Sequence, residues 1–127
     1  MNQTIFRYGF VQEQLLPSIY QIFQTQKDIL LRKAVLNAFC TIAFNAPKLV
    51  KDLPSWFSDV IKEDLKIRPE LIREVELGPF KHKVDDGLGL RISAYSFVEI
   101  AAEINLTSLH PSVFVDAIMK GLGKTIN

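Results

Sequence analysis

The chain has 127 residues, of which 48% are hydrophobic and 23% are charged, and its formal net charge is +1. These values fit one globular unit with a buried core, and they argue against a nucleic-acid-binding protein that relies on a large basic face. The first residues lack the apolar segment of a secretion signal, and no run approaches the roughly 18 apolar residues of a membrane span, so we expect no membrane partner.

Helical periodicity predicts a first helix over residues 8–24. Pro17 lies inside this stretch, and an interior proline costs a helix about 3 kcal/mol, so the helix should begin near Leu16 or kink there. Asp28 is a candidate N-cap for the next helix, residues 29–45.

Pro47 suits the first turn of a further helix over residues 48–64, in which Pro54 implies a bend. The stretch 28–64 is therefore predicted to be a helix pair. Its apolar positions recur at helical spacing and predict its part of the core. These positions are Leu31, Val35, Leu36, Phe39, Ile42 and Ala43 in the first helix, and Leu49, Val50, Leu53, Phe57, Val60 and Ile61 in the second.

Residues 70–84 break the helical pattern. Apolar and polar side chains alternate from Leu71 to Leu77, Gly78-Pro79 follows as a turn, and a second short run extends from Phe80 to Val84. This pattern favours an inserted β-hairpin, with a short helix over residues 70–77 as the alternative. A hairpin that projects from helices has open edges, which makes it a candidate contact device.

A second helix pair is predicted over residues 86–123, with helices at 88–104 and 112–122. Pro111 opens the last helix, and Gly121 and Gly123 end it. The small and apolar face of the first of these helices consists of Ala94, Phe97, Val98, Ala101 and Ala102.

The two predicted pairs repeat one weak motif. Asp28 and Arg32 open the first pair, and Asp86 and Arg91 open the second. An aspartate before a helix and an arginine in its first turns is the HEAT pattern, in which the arginine reaches acidic or carbonyl groups of a neighbouring turn. The spacing exceeds a HEAT repeat of about 40–47 residues, and the inserted hairpin accounts for the excess. Both arginines are therefore expected to be structural.

The fold class that follows is all-α: a short HEAT-type α-solenoid of antiparallel helix pairs with one inserted β-hairpin. We expect a single array over residues 1–127.

Catalytic and ligand-binding patterns are missing from the sequence. No glycine-rich phosphate loop occurs, and His82 and His110 have no partners at metal-ligand spacing. Cys40 excludes an internal disulfide, fits a reducing compartment, and lies in an apolar run that predicts a buried structural thiol. We expect no metal, no cofactor, no small-molecule ligand and no enzymatic activity.

The segment PELIREVELGPFKHKVDDGL, residues 69–88, resembles the corresponding stretch of the cullin-associated, neddylation-dissociated (CAND) proteins. The similarity extends from about Asp28 to Phe97 and continues more weakly through the Pro111–Leu122 helix. CAND proteins are large HEAT-repeat solenoids, so the chain resembles a fragment of the C-terminal part of one. The resemblance implies a binding protein of the cytoplasm and nucleus.

By this resemblance, the partner is a cullin scaffold with its RING subunit. CAND proteins wrap unmodified cullins, block the modification lysine and compete with substrate-receptor adaptors, so they act as exchange factors for ubiquitin ligases. The hairpin is implied to enter the adaptor-binding region of the cullin. The candidate partner-binding residues are Leu71, Arg73, Val75, Leu77, Gly78, Pro79, Phe80, Lys81, His82 and Lys83.

Two alternatives stay open at this level. Lys81-His82-Lys83 either meets an acidic surface or is a solvated edge that discourages strand aggregation, and Glu74 and Glu76 are in position to pair with these lysines. The protein as a whole is either a CAND-type regulator or a generic helical-repeat adaptor whose hairpin is only a spacer.

Overall fold

The computed structural model describes the backbone of residues 8–126 and the side chains of residues 9–119. Its α-helices are α1 (Tyr8–Phe10), α2 (Leu16–Thr25), α3 (Ile29–Asn45), α4 (Phe57–Asp64), α5 (Leu88–Glu103) and α6 (Pro111–Ile126). A π-helical turn covers Val11–Leu15, and 3-10 turns cover Pro47–Val50 and Pro69–Leu71. Strands β1 (Ile72–Leu77) and β2 (Phe80–Asp85) form the only sheet in the described part, an antiparallel hairpin. The expectation of a mostly helical chain with one hairpin is confirmed, and the short-helix alternative for residues 70–77 is wrong.

The first helical stretch accommodates Pro17 by a π-turn. The backbone N–H of Leu16 donates to the carbonyl of Val11, five residues earlier, rather than to the usual carbonyl four residues earlier. A π-turn is a common cause of an irregularity within a helix, and here it precedes a proline whose nitrogen has no hydrogen to donate. The predicted irregularity is therefore present, but the chain stays helical through it.

Helix α3 begins and ends where the sequence predicts. The Asp28 carboxylate accepts a hydrogen bond from the Leu31 backbone N–H at 3.0 Å, which satisfies one of the donors left free at a helix start. The predicted core positions of α3 are buried, except for Leu31, which lies on its exposed side.

The prediction of one helix over 48–64 with a bend at Pro54 is wrong, because the chain is interrupted there rather than bent. The chain makes a 3-10 turn at Pro47–Val50, leaves helical geometry, and resumes as α4 only at Phe57. Pro54 cannot donate a backbone hydrogen bond, and the N–H of Leu53 donates instead to the Ser108 hydroxyl at 3.2 Å. A contact with a distant loop thus replaces the helical bond. Val60, an expected core residue, is only half-buried.

The last helix also differs from its prediction. Backbone geometry stays helical from Pro111 to Ile126, so Gly121 and Gly123 do not end it. Glycine weakens a helix interior by about 1 kcal/mol but does not obstruct it. In α5, Ala102 is exposed, whereas the other predicted core positions of that helix are buried.

The helices stand in two rows. Helix α3 packs along α5, while α4 contacts α2 on one side and α6 on the other. The arrangement fits HEAT-type repeats. The core lies between the rows and includes a fully buried phenylalanine from each of four helices: Phe23, Phe39, Phe57 and Phe97.

Arg32 ties α3 to its neighbours. Its guanidinium donates to the Phe23 carbonyl at 2.6 Å, to the Gln26 carbonyl at 2.9 Å, and to both carboxylate oxygens of Asp64 at 3.1 and 2.6 Å. The charged group also lies 4.5 Å from the centroid of the Phe23 ring. Arg32 therefore has the structural role expected of it.

We predict that Phe39→Ala lowers the free energy of unfolding by about 3–5 kcal/mol, the usual range for a buried phenylalanine. The ring of Phe39 is fully buried and contacts Phe23 and Phe57 at centroid distances of 5.5 and 5.2 Å. Chemical denaturation monitored by circular dichroism measures the loss. Phe44→Ala on the same helix is the matched control, since Phe44 is 74% exposed. Equal losses for the two variants would contradict the core assignment.

Candidate interaction surface of the hairpin

The turn of the hairpin has the geometry that its two residues favour. Leu77 pairs with Phe80, so Gly78 and Pro79 are the two central residues. Gly78 has a φ of +63°, and proline keeps a negative φ at the next position. A positive φ followed by a negative one defines a type II′ turn, whose twist matches that of the flanking strands. The turn therefore fixes the register of the hairpin.

The register gives the hairpin two chemically different faces. Arg73 lies opposite Val84, Val75 opposite His82, and Leu77 opposite Phe80. Side chains of directly opposed residues share a face, and successive residues of a strand alternate between faces. We call the face formed by Arg73, Val75, Leu77, Phe80, His82 and Val84 the apolar face.

The apolar face is most exposed at the tip. Leu77 is 58% exposed and Phe80 is 66% exposed, whereas Val75 and Val84, nearer the base, are half-buried. Two large apolar side chains beside a two-residue turn have no cover from the helices. Exposed apolar groups grouped on one rigid element are typical of interaction sites.

The opposite face carries charges of both signs. Glu74 lies opposite Lys83, and Glu76 lies opposite Lys81, so the positive charges of the two lysines are matched by carboxylates across the strands. Opposite charges in such cross-strand positions are mildly stabilising. This pairing favours the solvated-edge interpretation of the two lysines over an acidic-surface contact.

The predicted partner-binding residues thus fall into separate groups. Arg73, Val75, Leu77, Phe80 and His82 share the apolar face, and Gly78 and Pro79 form the turn. Lys81 and Lys83 are on the charged face. Leu71 precedes the strand and ends a 3-10 turn, so it belongs to the base of the hairpin.

Ion pairs hold the base of the hairpin. Arg91 donates to the Asp85 carboxylate at 2.7 Å, and Arg73 donates to the Asp86 carboxylate at 2.9 Å. The Asp85 carboxylate also accepts from the backbone N–H of Gly87 at 2.9 Å, whereas Asp86, the aspartate expected to open α5, pairs with Arg73 instead of capping the helix. Arg91 therefore binds the end of β2 rather than the turn of a neighbouring repeat.

Sequence reasoning missed a second surface, an apolar groove of about 450 Å³ between α5 and α6. Its lining includes Ile92, Tyr95, Phe114 and Ile118. Ile92 and Ile118 are exposed apolar residues on helices whose other faces are buried. The sequence did contain a signal for this groove, because Ile92 and Ile118 are apolar residues that lie outside the row of core positions of their helices.

Perturbed titratable groups lie away from the hairpin. Burial raises the pKa of the Cys40 thiol to about 11 and, with a contribution from Asp52, the pKa of the Tyr20 hydroxyl to about 12. Burial also raises the pKa of Tyr95, against the opposing charge of Arg91. No cluster of three or more possible metal ligands occurs among the described residues. None of the helices in that part is long and apolar enough to cross a membrane.

Paired helices with one exposed, two-faced hairpin are the architecture of a helical-repeat protein. The TIP120 family model, described as "TATA-binding protein interacting (TIP20)", matches residues 49–126. The chain belongs to this family, that of the CAND proteins.

Relatives show the same affiliation. The chain is 34% identical over 117 residues to "Cullin-associated NEDD8-dissociated protein 1" of Dictyostelium discoideum, covering 91% of this chain and 10% of that protein. It is 40% identical over 95 residues to "Cullin-associated NEDD8-dissociated protein 2" of Mus musculus, covering 75% and 8%. It is 43% identical over 81 residues to "Cullin-associated NEDD8-dissociated protein 1, C-terminal part" of Emericella nidulans, covering 64% and 7%. The chain thus spans at most about a tenth of these relatives.

We predict that Gly78→Ala loosens the hairpin while the helices keep their stability. Residues with a Cβ pay roughly 1–2 kcal/mol for a left-handed backbone conformation, and Gly78 has a φ of +63°. Hydrogen exchange of the β1 and β2 amides should accelerate about tenfold, since about 1.4 kcal/mol is one decade. Gly89→Ala in α5 is the control, because its added Cβ would meet only the flexible end of Lys33. Unchanged exchange in the Gly78 variant would contradict the turn assignment.

We predict that Cys40 reacts slowly with thiol reagents in the folded protein. A pKa of about 11 leaves far fewer thiolates than an ordinary cysteine has at pH 8, and only the thiolate is nucleophilic. Iodoacetamide alkylation at pH 8 should be at least about 100-fold slower in the folded than in the denatured chain. The rate should rise with pH up to about pH 11, and a plateau near pH 8.5 would contradict the assigned burial.

Proposed function

We propose that this chain is a CAND-type cullin-binding segment whose hairpin tip contacts the N-terminal region of a cullin. In this proposal, the chain is part of a HEAT-type solenoid that regulates cullin–RING ubiquitin ligases in the cytoplasm and nucleus by competing with substrate-receptor adaptors. The contribution of the chain is binding rather than catalysis. The relatives carry the words "cullin-associated" and "NEDD8-dissociated" in their names, which supports the choice of partner.

The observation that carries the proposal is the exposed apolar pair at the tip. Leu77 and Phe80 lie side by side on the apolar face, and the type II′ turn holds them in a defined geometry. A preorganised tip spends little conformational entropy on binding. A few apolar anchors of this kind usually dominate an interface.

The second candidate, a helical adaptor whose hairpin is a spacer, has its own supporting observation. The groove between α5 and α6 is apolar and open, and it lies outside the hairpin. Under this alternative, a partner segment packs into the groove, and the tip makes no energetically important contact. The two candidate functions therefore predict different results: either mutations at the hairpin tip or mutations in the groove weaken partner binding.

We predict that Leu77→Ser combined with Phe80→Ser weakens binding to a cullin N-terminal domain about tenfold or more, since each 1.4 kcal/mol is one decade. Both side chains are exposed, so the melting temperature and the helical circular dichroism should stay nearly constant. Titration calorimetry with the purified cullin domain, and competition with a substrate-receptor adaptor, measure the loss.

Lys81→Ser combined with Lys83→Ser is the matched control, because these exposed residues lie on the charged face of the same hairpin. This variant should bind with nearly the parent affinity. Parent-like binding by the tip variant, together with a loss caused by Ile92→Ser in the groove, would favour the adaptor function instead. Unfolding of the tip variant would show that Leu77 and Phe80 are core residues.

A further inference from the structure

The hairpin is joined to α5 by a charged contact that is buried on its arginine side. Arg91 lies in the second turn of α5 and is only 3% exposed, and its Nη1 donates to Oδ2 of Asp85 at 2.7 Å. Asp85 is the last residue of β2, and its Oδ1 accepts from the backbone N–H of Gly87 at 2.9 Å. One carboxylate thus connects the strand end, the connecting residues and the helix.

The other strand is attached to the same connection. The backbone N–H of Asp86 donates to the Leu71 carbonyl at 3.0 Å, and Arg73 of β1 donates to the Asp86 carboxylate at 2.9 Å. A Cβ added at Gly87 would lie 3.1 Å from Cδ1 of Leu71, so the Leu71 side chain packs closely over this backbone. Both strands are therefore fixed to the short connection that leads into α5, and this connection is tightly packed.

The burial of Arg91 has a free-energy cost that its hydrogen bonds do not fully offset. Its Nη2 atom is buried and has no hydrogen-bond partner among the described residues, although Nη1 is paired. A buried ion pair often contributes little net stability, because desolvation of both charges offsets their attraction. In some proteins, such buried polar pairs select one arrangement of the chain rather than add stability. The Arg91–Asp85 pair joins α5 to the end of β2, so the geometry that it would select is the angle between the hairpin and α5.

We infer that Arg91, through Asp85, is the positioning residue that holds the hairpin tip in its binding orientation. This inference rests on the proposed function for its binding readout. If the Arg91–Asp85 pair is removed, the hairpin samples several orientations. The apparent affinity is then the parent affinity multiplied by the fraction of molecules whose hairpin has the binding orientation. Neither Arg91 nor Asp85 needs to touch the partner.

The test compares single and paired substitutions. Asp85→Asn leaves the buried Arg91 guanidinium without this carboxylate, and Arg91→Met removes the cation that ties Asp85 to α5, so both variants should be less stable and should bind the cullin N-terminal domain more weakly. The double variant, Asp85→Asn with Arg91→Met, removes both charges and should recover stability relative to the singles. Its affinity should nevertheless stay about tenfold below the parent value if the competent fraction falls to about a tenth. A merely structural role predicts that affinity recovers together with stability.

Arg32→Met is the matched control. Among the described residues, Arg32 is the other buried arginine that pairs with an aspartate, and it lies at the start of α3 rather than in α5. Its partner Asp64 keeps a second ion pair with Arg68 at 3.2 Å. This variant should lose stability but keep parent affinity at temperatures well below its melting transition.

A second readout needs no cullin. Two spin labels are attached at Lys81→Cys in the hairpin and Glu103→Cys at the end of α5, in a Cys40→Ala background. Pulsed electron paramagnetic resonance measures the distance between the labels, which depends on the angle between the hairpin and α5. The distance distribution should be narrow in the parent and in Arg32→Met, and broad in the double variant. An unchanged narrow distribution in the double variant would overturn the inference. If the parent does not bind the cullin domain, the proposed function fails, while the distances still decide the positioning role.

Discussion

The fold depends on one cluster of aromatic rings. Phe23, Phe39, Phe57 and Phe97 come from α2, α3, α4 and α5, and all four are fully buried. The Phe57 ring lies 5.0 Å from Phe23, 5.2 Å from Phe39 and 5.4 Å from Phe97, measured between centroids. Pairs of this kind are worth about 0.5–1.5 kcal/mol beyond their buried area. Because each helix supplies one ring, no helix pair completes the core alone.

Because of this cluster, the strands of the hairpin are not part of the hydrophobic core. The rings join both helix pairs directly, so the segment between α4 and α5 is not needed to close the core. The chain can therefore carry an apolar tip in solvent. The base of the segment is held by contacts of Leu71, Asp85 and Arg91, whereas the tip stays exposed. A firm base and an uncovered tip are what a binding element requires, since a preorganised contact surface loses little entropy on association.

Local signals in the sequence predicted much of this arrangement. Asp28 marks the start of α3, and alternation around Gly78-Pro79 marks the hairpin, because capping and turn chemistry act over only a few residues. The turn also determines the two faces of the hairpin. A two-residue turn makes Leu77 oppose Phe80, and the alternation along the strand then places Lys81 on the charged face. The ten candidate residues therefore lie on both faces of the hairpin, in its turn and at its base.

Long-range contacts were beyond sequence reasoning. The break before α4 is stabilised by the Ser108 hydroxyl, which is distant in sequence and accepts from Leu53. The pairing of Arg91 with Asp85 is local, but the repeat motif directed Arg91 to a neighbouring repeat instead. The groove between α5 and α6 exists only once the two helices are placed side by side. Periodicity specifies which face of a helix is apolar, but it does not specify which neighbour covers that face.

The central claim is that the hairpin tip is the contact surface for a cullin. It is tested most directly by nuclear magnetic resonance titration of the labelled chain with a cullin N-terminal domain. The account predicts that signals of Val75, Leu77, Phe80 and His82 shift or broaden first, while methyl signals of the helical groove stay in place. Selective perturbation of Ile92 and Ile118, with the hairpin signals unchanged, would contradict it.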